Sequence, residues 1–194
     1  MLLHTRLPLA MQPMQVRMLL SREHRQAHKR LPFLFQSTLL AWQRLQEETG
    51  LIHLQLNCKP HSIDPIALYD RLGCKHTLDL SRTEYLLQKR AQPAYQRIHQ
   101  LMARGEIAHA MRCLDRILDL IARIRMKGIW DRDPNVEINF GFVGDEAIEF
   151  DLGSFRLARG TPPNLAPLLH WLQTHYPVLA AHLNNQLEKK GLSQ

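Results

Sequence analysis

Cysteine is scarce in this chain of 194 residues, and its three cysteines show no pairing pattern. Cys58, Cys74 and Cys113 are odd in number, lie far apart and include no C-x-x-C pair. A disulfide framework or a cysteine zinc site needs paired, closely spaced cysteines. The sequence therefore indicates a reducing compartment and ordinary thiols.

Long hydrophobic runs are also lacking. The first twenty residues are apolar overall, but Arg6, Pro8, Pro13 and Arg17 interrupt them. A signal-peptide core needs roughly 7–15 consecutive apolar residues, and a membrane-spanning helix needs about 20. The sequence predicts a cytoplasmic protein without a membrane partner. A secreted effector without a cleavable signal is the alternative.

Acidic residues are in the minority, with 18 Asp and Glu against 25 Lys and Arg, which gives a net charge of +7. The densest basic run spans residues 22–30, where His24 and His28 have the four-residue spacing of a helical metal site. Arg25 stands where an H-E-x-x-H motif requires glutamate, so a solvated basic face is the favoured interpretation. Aromatic residues do not alternate with the basic ones as a nucleic-acid stacking surface requires. Nucleic-acid binding stays a generic hypothesis.

The periodicity of the first 80 residues predicts a helix and then short strands. Apolar residues at helical spacing over 35–49 end at Gly50, a typical C-cap. Alternation over 52–56 indicates a strand, and two further short strands are expected at 66–69 and 77–80.

From Ser81 the pattern becomes helical. Ser81 and Glu84 form an S-x-x-E capping signature for a helix that Pro93 interrupts and Gly105 ends. Residues 107–128 form the strongest periodic segment, and helices follow at 165–174 and from Pro177 to about residue 189. The expected fold class is α+β, with a small antiparallel sheet region before a mostly helical body. The expected division is a basic and strand region at 1–80 and a helical body at 81–194, within one compact unit.

A hairpin at 136–152 carries the best candidate chemistry. Apolar residues alternate with polar ones on both sides of a turn, which predicts two half-buried strands. A register that places all apolar side chains on one face pairs Phe142 with Ile148, Phe140 with Phe150 and Ile138 with Leu152.

This register sets Asn139 opposite Asp151 and leaves residues 144–146 as a three-residue loop. Directly opposed Cβ atoms lie about 5 Å apart. With Asp133, these residues supply the hard oxygen ligands that Mg²⁺ and its nucleotide complexes use. The alternative is an ordinary hydrogen bond between Asn139 and Asp151 on an exposed sheet surface.

The segment from Gly128 to Gly153 resembles the catalytic loop and metal-binding hairpin of the protein-kinase-like fold. In that fold a helix leads into a loop with a catalytic Asp, an Asn follows, and a strand ends in an Asp-Phe-Gly or similar triplet. Here the order is Asp131-Arg132-Asp133, then Asn139, then Asp151-Leu152-Gly153. The resemblance implies that Asp133 orients a substrate hydroxyl and accepts its proton, and that Asn139 and Asp151 hold Mg²⁺ against ATP phosphates.

The chain departs from the kinase pattern in ways that imply a reduced, truncated or degenerate member. The spacing from Asp133 to Asn139 is one residue longer, and Asp131 stands at the usual His position. No glycine precedes Gly50, so the glycine-rich phosphate cover is missing. Lys29 and Lys59 are both poorly placed to be the phosphate-binding lysine.

Three hypotheses follow. The first is a reduced kinase-like protein, or pseudokinase, that binds ATP and Mg²⁺ with weak or no phosphotransfer. The second is a noncatalytic protein-interaction module or effector on a kinase-like scaffold. The third is a basic nucleic-acid-binding protein.

Overall fold

A computed structural model of the chain describes residues 32–56, 65–133, 135–157 and 165–190. The basic run at 22–30 lies outside these residues, as do Cys58 and Lys59. The first helix, α1, covers 32–44. The remaining elements are α2 (Gln46–Thr49), β1 (Leu51–Gln55), β2 (Ile66–Tyr69), β3 (Lys75–Leu78), β4 (Tyr85–Gln88), β5 (Gln92–Pro93), α3 (Ala94–Ala103), α4 (Ile107–Met126), β6 (Ile129–Asp131), α5 (Val136–Asn139), β7 (Phe140–Val143), β8 (Glu146–Glu149), β9 (Phe155–Leu157), α6 (Ala166–His175) and α7 (Pro177–Lys189).

Helices and small antiparallel sheets make the fold α+β, as predicted. The chain divides into two compact units. The smaller contains residues 32–35 and the described part of Leu54–Leu86; the larger contains Gln36–His53 and the described residues from Leu87 onward. This division differs from the expected boundary at residue 80, because 36–53 group with the helical body and 81–86 do not. Among the described residues, no helix is long and apolar enough to span a bilayer.

The smaller unit is organised around the hairpin of β2 and β3, in which Ile66 pairs with Leu78 and Tyr69 with Lys75. Asp70 organises the turn: its Oδ1 accepts from the N–H groups of Leu72 and Cys74, each at 2.9 Å. The expected strand at 66–69 is confirmed. Its partner lies two residues earlier than the predicted 77–80.

The predicted helix start at Ser81 is wrong. A short 3₁₀ turn, Leu80–Arg82, occupies this position, and Asp79 rather than Ser81 supplies the capping side chain, accepting from the Ser81 N–H at 2.9 Å. Residues 85–88 then form β4, and helix α3 begins only after Pro93. Proline fits poorly inside a helix but is compatible with its start, so Pro93 begins α3 instead of kinking a longer helix.

Helix α4 is the centre of the larger unit, and its predicted range is confirmed to within two residues. One face is entirely buried, as the apolar stripe at three- and four-residue spacing requires. Helix α7 is tied to it by two contacts, Lys190 Nζ to Asp119 Oδ1 at 2.6 Å and His182 Nε2 to Asp115 Oδ1 at 2.8 Å. The buried residues of α4 are Ala110, Cys113, Leu114, Ile117, Leu118, Leu120, Ile121 and Ile124.

The candidate hairpin consists of β7 and β8, to which β5 adds a third strand. Its register differs by one residue from the predicted one: Phe140 pairs with Glu149 and Phe142 with Ala147. Only two residues, Gly144 and Asp145, form the turn, and Gly144 adopts a positive φ of 61°. A two-residue hairpin turn with glycine first matches the twist of the strands, and glycine tolerates the positive φ.

The predicted register is wrong because both faces of this hairpin are covered. Phe140, Gly141 and Phe142 are consecutive in sequence and all buried, and the same holds for Ala147, Ile148 and Glu149. A one-residue slip is costly only when one face is wet. The alternation of apolar residues therefore did not determine which residues pair.

Candidate functional site

Strands β6 and β9 bring the Asp133 loop beside the Asp151 turn. They pair antiparallel, with Asp131 opposite Phe155, so the chain leaving Asp131 runs alongside the chain that arrives at Phe155. The Arg132 N–H donates to the Ser154 carbonyl at 3.3 Å and continues this pairing toward the loop. The loop after β6 and the turn before β9 therefore lie at the same end of the β6–β9 strand pair.

Asn139 is not on a strand, contrary to the prediction. It ends the short helical turn α5, which Asn135 caps by accepting from the Glu137 N–H at 3.0 Å. The Asn139 side chain is buried, and its Nδ2 donates to the Asp133 carbonyl at 2.6 Å. The Asn139 carbonyl accepts from the Phe150 N–H at 2.8 Å. Asn139 therefore lies opposite Phe150 instead of Asp151, yet it joins the Asp133 loop to the residue that precedes Asp151.

Asp151 is exposed and lies in a tight turn. Its Oδ1 accepts from the Gly153 N–H at 2.9 Å, which orients the carboxylate. The turn is anchored from the other side by Ser37 of α1, a buried residue whose hydroxyl donates to the Leu152 carbonyl and accepts from the Phe155 N–H at 2.7 Å. Backbone contacts on both sides hold the Asp151 turn.

Asp133 has an exposed side chain above this framework. Its N–H donates to Asp131 Oδ1 at 3.0 Å, and its carbonyl accepts from the Asn135 N–H at 2.7 Å and from Asn139. The backbone is fully engaged, so the loop is held while the carboxylate faces solvent. Hydrogen bonds through Asn139 thus join the Asp133 loop to Phe150, the residue that precedes Asp151.

A buried carboxyl pair lies directly behind them. Asp131 is 8% exposed and Glu149 1% exposed. Burial raises the pKa of Glu149 well above its usual value, and the neighbouring Asp131 and Asp151 raise it further. Burial also raises the pKa of Asp131, although hydrogen bonds from Glu149 and the Asp133 N–H oppose the rise. The carboxyl group of Glu149 therefore resists ionisation more than that of an ordinary glutamate.

This pair was missed from the sequence. Alternation alone predicts Glu149 as a polar residue between apolar neighbours on a half-exposed strand, whereas the strand is covered on both sides. Asp131 was noted only for its place in the motif. Two oxygens of the pair, Asp131 Oδ2 and Glu149 Oε1, are buried without a hydrogen-bond partner among the described residues. The sequence signal was an acid inside a short apolar strand.

A metal ion bound here would need ligands in addition to the protein side chains. Among the described residues, no three His, Cys, Asp or Glu side chains group to hold a metal ion. Mg²⁺ in nucleotide sites commonly takes one or two protein oxygens and fills its other positions with water and phosphates. Asn139 and Asp151 each carry a side-chain oxygen of the type that Mg²⁺ binds.

Comparison with protein-family models, with curated proteins and with solved structures found no match for this chain.

Proposed function

We propose that the protein binds a nucleoside triphosphate with Mg²⁺ as a reduced kinase-like protein with weak or no phosphotransfer. The observation that carries the proposal is that Asn139 joins the Asp133 loop to Phe150, the residue next to Asp151. Asn139 Nδ2 contacts the Asp133 carbonyl at 2.6 Å, and the Asn139 carbonyl contacts the Phe150 N–H at 2.8 Å. These contacts hold residues far apart in the chain within one small volume.

In this proposal Asn139 and Asp151 hold Mg²⁺, which would neutralise charge on the nucleotide phosphates. The Asn139 amide nitrogen is engaged by the Asp133 carbonyl, so the amide oxygen is the end available to a cation. Asp151 Oδ1 accepts one backbone N–H, and its exposed carboxylate retains acceptor capacity. Asp133 would orient a substrate hydroxyl.

We expect weak phosphotransfer because this chain departs from the parts that hold phosphates in kinases. Phosphoryl transfer depends on positioning and charge neutralisation. The chain has no glycine before Gly50 to form a glycine-rich cover, and the loop after Asp133 is one residue longer than the pattern. Nucleotide binding tolerates both departures better than catalysis does.

The test is ATP binding with and without Mg²⁺ by calorimetry, together with thermal melting. A ligand at 100 times its Kd adds about 2.7 kcal/mol to the free energy of unfolding. Asp151→Asn removes a charge with little change of shape and should weaken Mg²⁺-dependent ATP binding at least tenfold, about 1.4 kcal/mol. Asp145→Asn at the other end of the hairpin is the matched control and should bind like the parent.

Equal binding by the parent and Asp151→Asn, or no ATP binding at all, would end the proposal. The catalytic part is tested separately by transfer of labelled phosphate to the protein itself or to a supplied substrate. We expect little or no transfer. Robust transfer that Asp133→Ala abolishes would instead identify a working kinase.

A further inference from the structure

A cavity lies in the larger unit, and Asp133, Asn139 and Asp151 are not among its lining residues. Its volume is about 420 Å³, within the range of roughly 300–1,000 Å³ typical of small-molecule sites. Helix α2, helix α4 and the β7–β8 hairpin contribute to it. Its lining residues are Glu47, Gly50, Lys89, Arg123, Val143, Glu146, Ala147 and Ile148.

The floor of this concavity is apolar. Val143, Ala147 and Ile148 line it from the hairpin, and Gly50 lies against Ile148. A Cβ atom at Gly50 would lie 3.0 Å from Ile148 Cδ1 and 3.4 Å from Lys89 Cβ. Gly50, which ends α2 in the left-handed conformation, therefore also leaves room at the floor of the cavity, since any side chain there would crowd Ile148.

The rim carries charges of both signs. Glu146 is engaged by Arg116 Nη1 at 2.5 Å. Lys89 and Arg123 come from distant parts of the chain, and among the described residues neither forms an ion pair with Glu47 or with any other carboxylate. The positive charges of Lys89 and Arg123 and the negative charge of Glu47 thus line one cavity without forming an ion pair, which leaves space between them for a ligand.

We propose that this cavity binds a small organic anion that carries a hydrogen-bond donor beside its anionic group. Lys89 and Arg123 take the phosphate or carboxylate, because a guanidinium and an ammonium are the side chains best suited to such groups. Glu47 accepts a hydrogen bond from the ligand's amino or hydroxyl group. The apolar floor contacts the carbon skeleton.

The test uses O-phosphoserine, which carries an amino group beside its phosphate, and phenyl phosphate, which does not. Binding of each to the full-length protein is measured by calorimetry without ATP or Mg²⁺, so the outcome is independent of the proposed nucleotide site. We expect saturable one-to-one binding of O-phosphoserine. Lys89→Gln and Arg123→Gln should each weaken binding of both compounds about tenfold.

Glu47→Gln distinguishes the donor site from general attraction of anions. It should weaken O-phosphoserine binding while leaving phenyl phosphate binding unchanged or slightly tighter. Arg104→Gln removes the same charge from an exposed position after α3 and should bind like the parent. Val143→Phe narrows the cavity from its floor and should block both compounds.

Three results would overturn the proposal. Neither compound binds at up to about 10 mM, far above the Kd range of a specific site; or Arg104→Gln weakens binding as much as Arg123→Gln; or Glu47→Gln affects both compounds equally. Circular dichroism and melting of each variant show whether a loss of binding reflects unfolding. If Val143→Phe does not fold, the charge variants decide alone.

Discussion

The two ends of the β7–β8 hairpin differ in whether their charged side chains are paired with opposite charges. At the tip, Arg97 donates from Nη1 to the Gly144 carbonyl and from Nη2 to Asp145 Oδ1, both at 2.6 Å. At the base, Asp131, Glu149 and Asp151 influence one another, and no cation contributes to the shifted pKa of Glu149. Charges at the tip are matched, and charges at the base are not.

The pKa values follow the same division. Burial acts to raise the pKa of Asp145, but the charges of Arg97 and His109 outweigh it and lower the pKa. At the base, burial and neighbouring acids raise the pKa of Glu149 together. Paired charges serve to hold a structure, whereas uncompensated buried acids cost stability. Perturbed acids in one place also mark candidate functional sites, which separates the base from the tip.

The largest effect on stability is expected at Ser37, a neutral residue whose hydroxyl group holds the base of the hairpin by hydrogen bonds. Ser37→Ala leaves the Leu152 carbonyl and the Phe155 N–H without a partner, and each buried orphan costs about 1–3 kcal/mol. We expect a loss of about 2–4 kcal/mol in urea denaturation. Ser154→Ala, a nearby half-buried serine, is the control. A loss below that of the control would show that the turn is held by other contacts.

Arg97→Ala should have the next largest effect, at the tip. It removes two hydrogen bonds to the turn and the guanidinium that lies 5.0 Å from the centre of the Phe142 ring. We expect a loss of about 2 kcal/mol, because hydrogen bonds to charged groups are worth about 1.5–3 kcal/mol and Asp145 is largely exposed. Nucleotide binding by the folded protein should not change. A change in Mg²⁺-dependent affinity would contradict the separation of tip from base.

Glu149→Gln should stabilise the protein at neutral pH, because burial and the neighbouring Asp131 and Asp151 disfavour the charged form of Glu149. The folded protein holds the Glu149 proton above the ordinary pKa of 4.5, so the stability from this group is complete at low pH. That stability is lost as pH rises from 4.5 toward the raised pKa of the folded state. Denaturation midpoints of parent and variant should therefore diverge as pH rises. Parallel pH profiles would mean that Glu149 is not protonated in the folded protein.

The smallest effect is expected for Glu146→Gln, which breaks the ion pair with Arg116. Both side chains are well exposed, at 65% and 44%, and exposed pairs contribute at most about 0.5–1 kcal/mol. The change should fall within about 0.5 kcal/mol and vanish in 1 M salt. A larger or salt-independent loss would show that the tip contributes more than local pairing.

Local patterns in the sequence predicted what local forces determine. The apolar stripe of α4 predicts a helix wherever one face is covered, and Gly50 ends α2 because glycine alone adopts its positive φ easily. The presence of a hairpin between residues 140 and 149 also follows from local alternation. The predicted helix at Ser81 shows the limit of such signals, because the capping motif is present there although the helix begins only after Pro93.

The tertiary structure decided how the candidate site is assembled. The pairing of β6 with β9 joins residues 24 or more positions apart, and no local pattern identifies that partner. The hairpin register depended on cover from both faces, which alternation cannot report, and this cover turned Glu149 into a buried acid beside Asp131. The sequence by itself determined the long helix α4, the helix end at Gly50 and the residue types available for chemistry. Burial and strand pairing, which arise only when distant segments meet, decided which of these residues lie together and which carboxyl groups have a raised pKa.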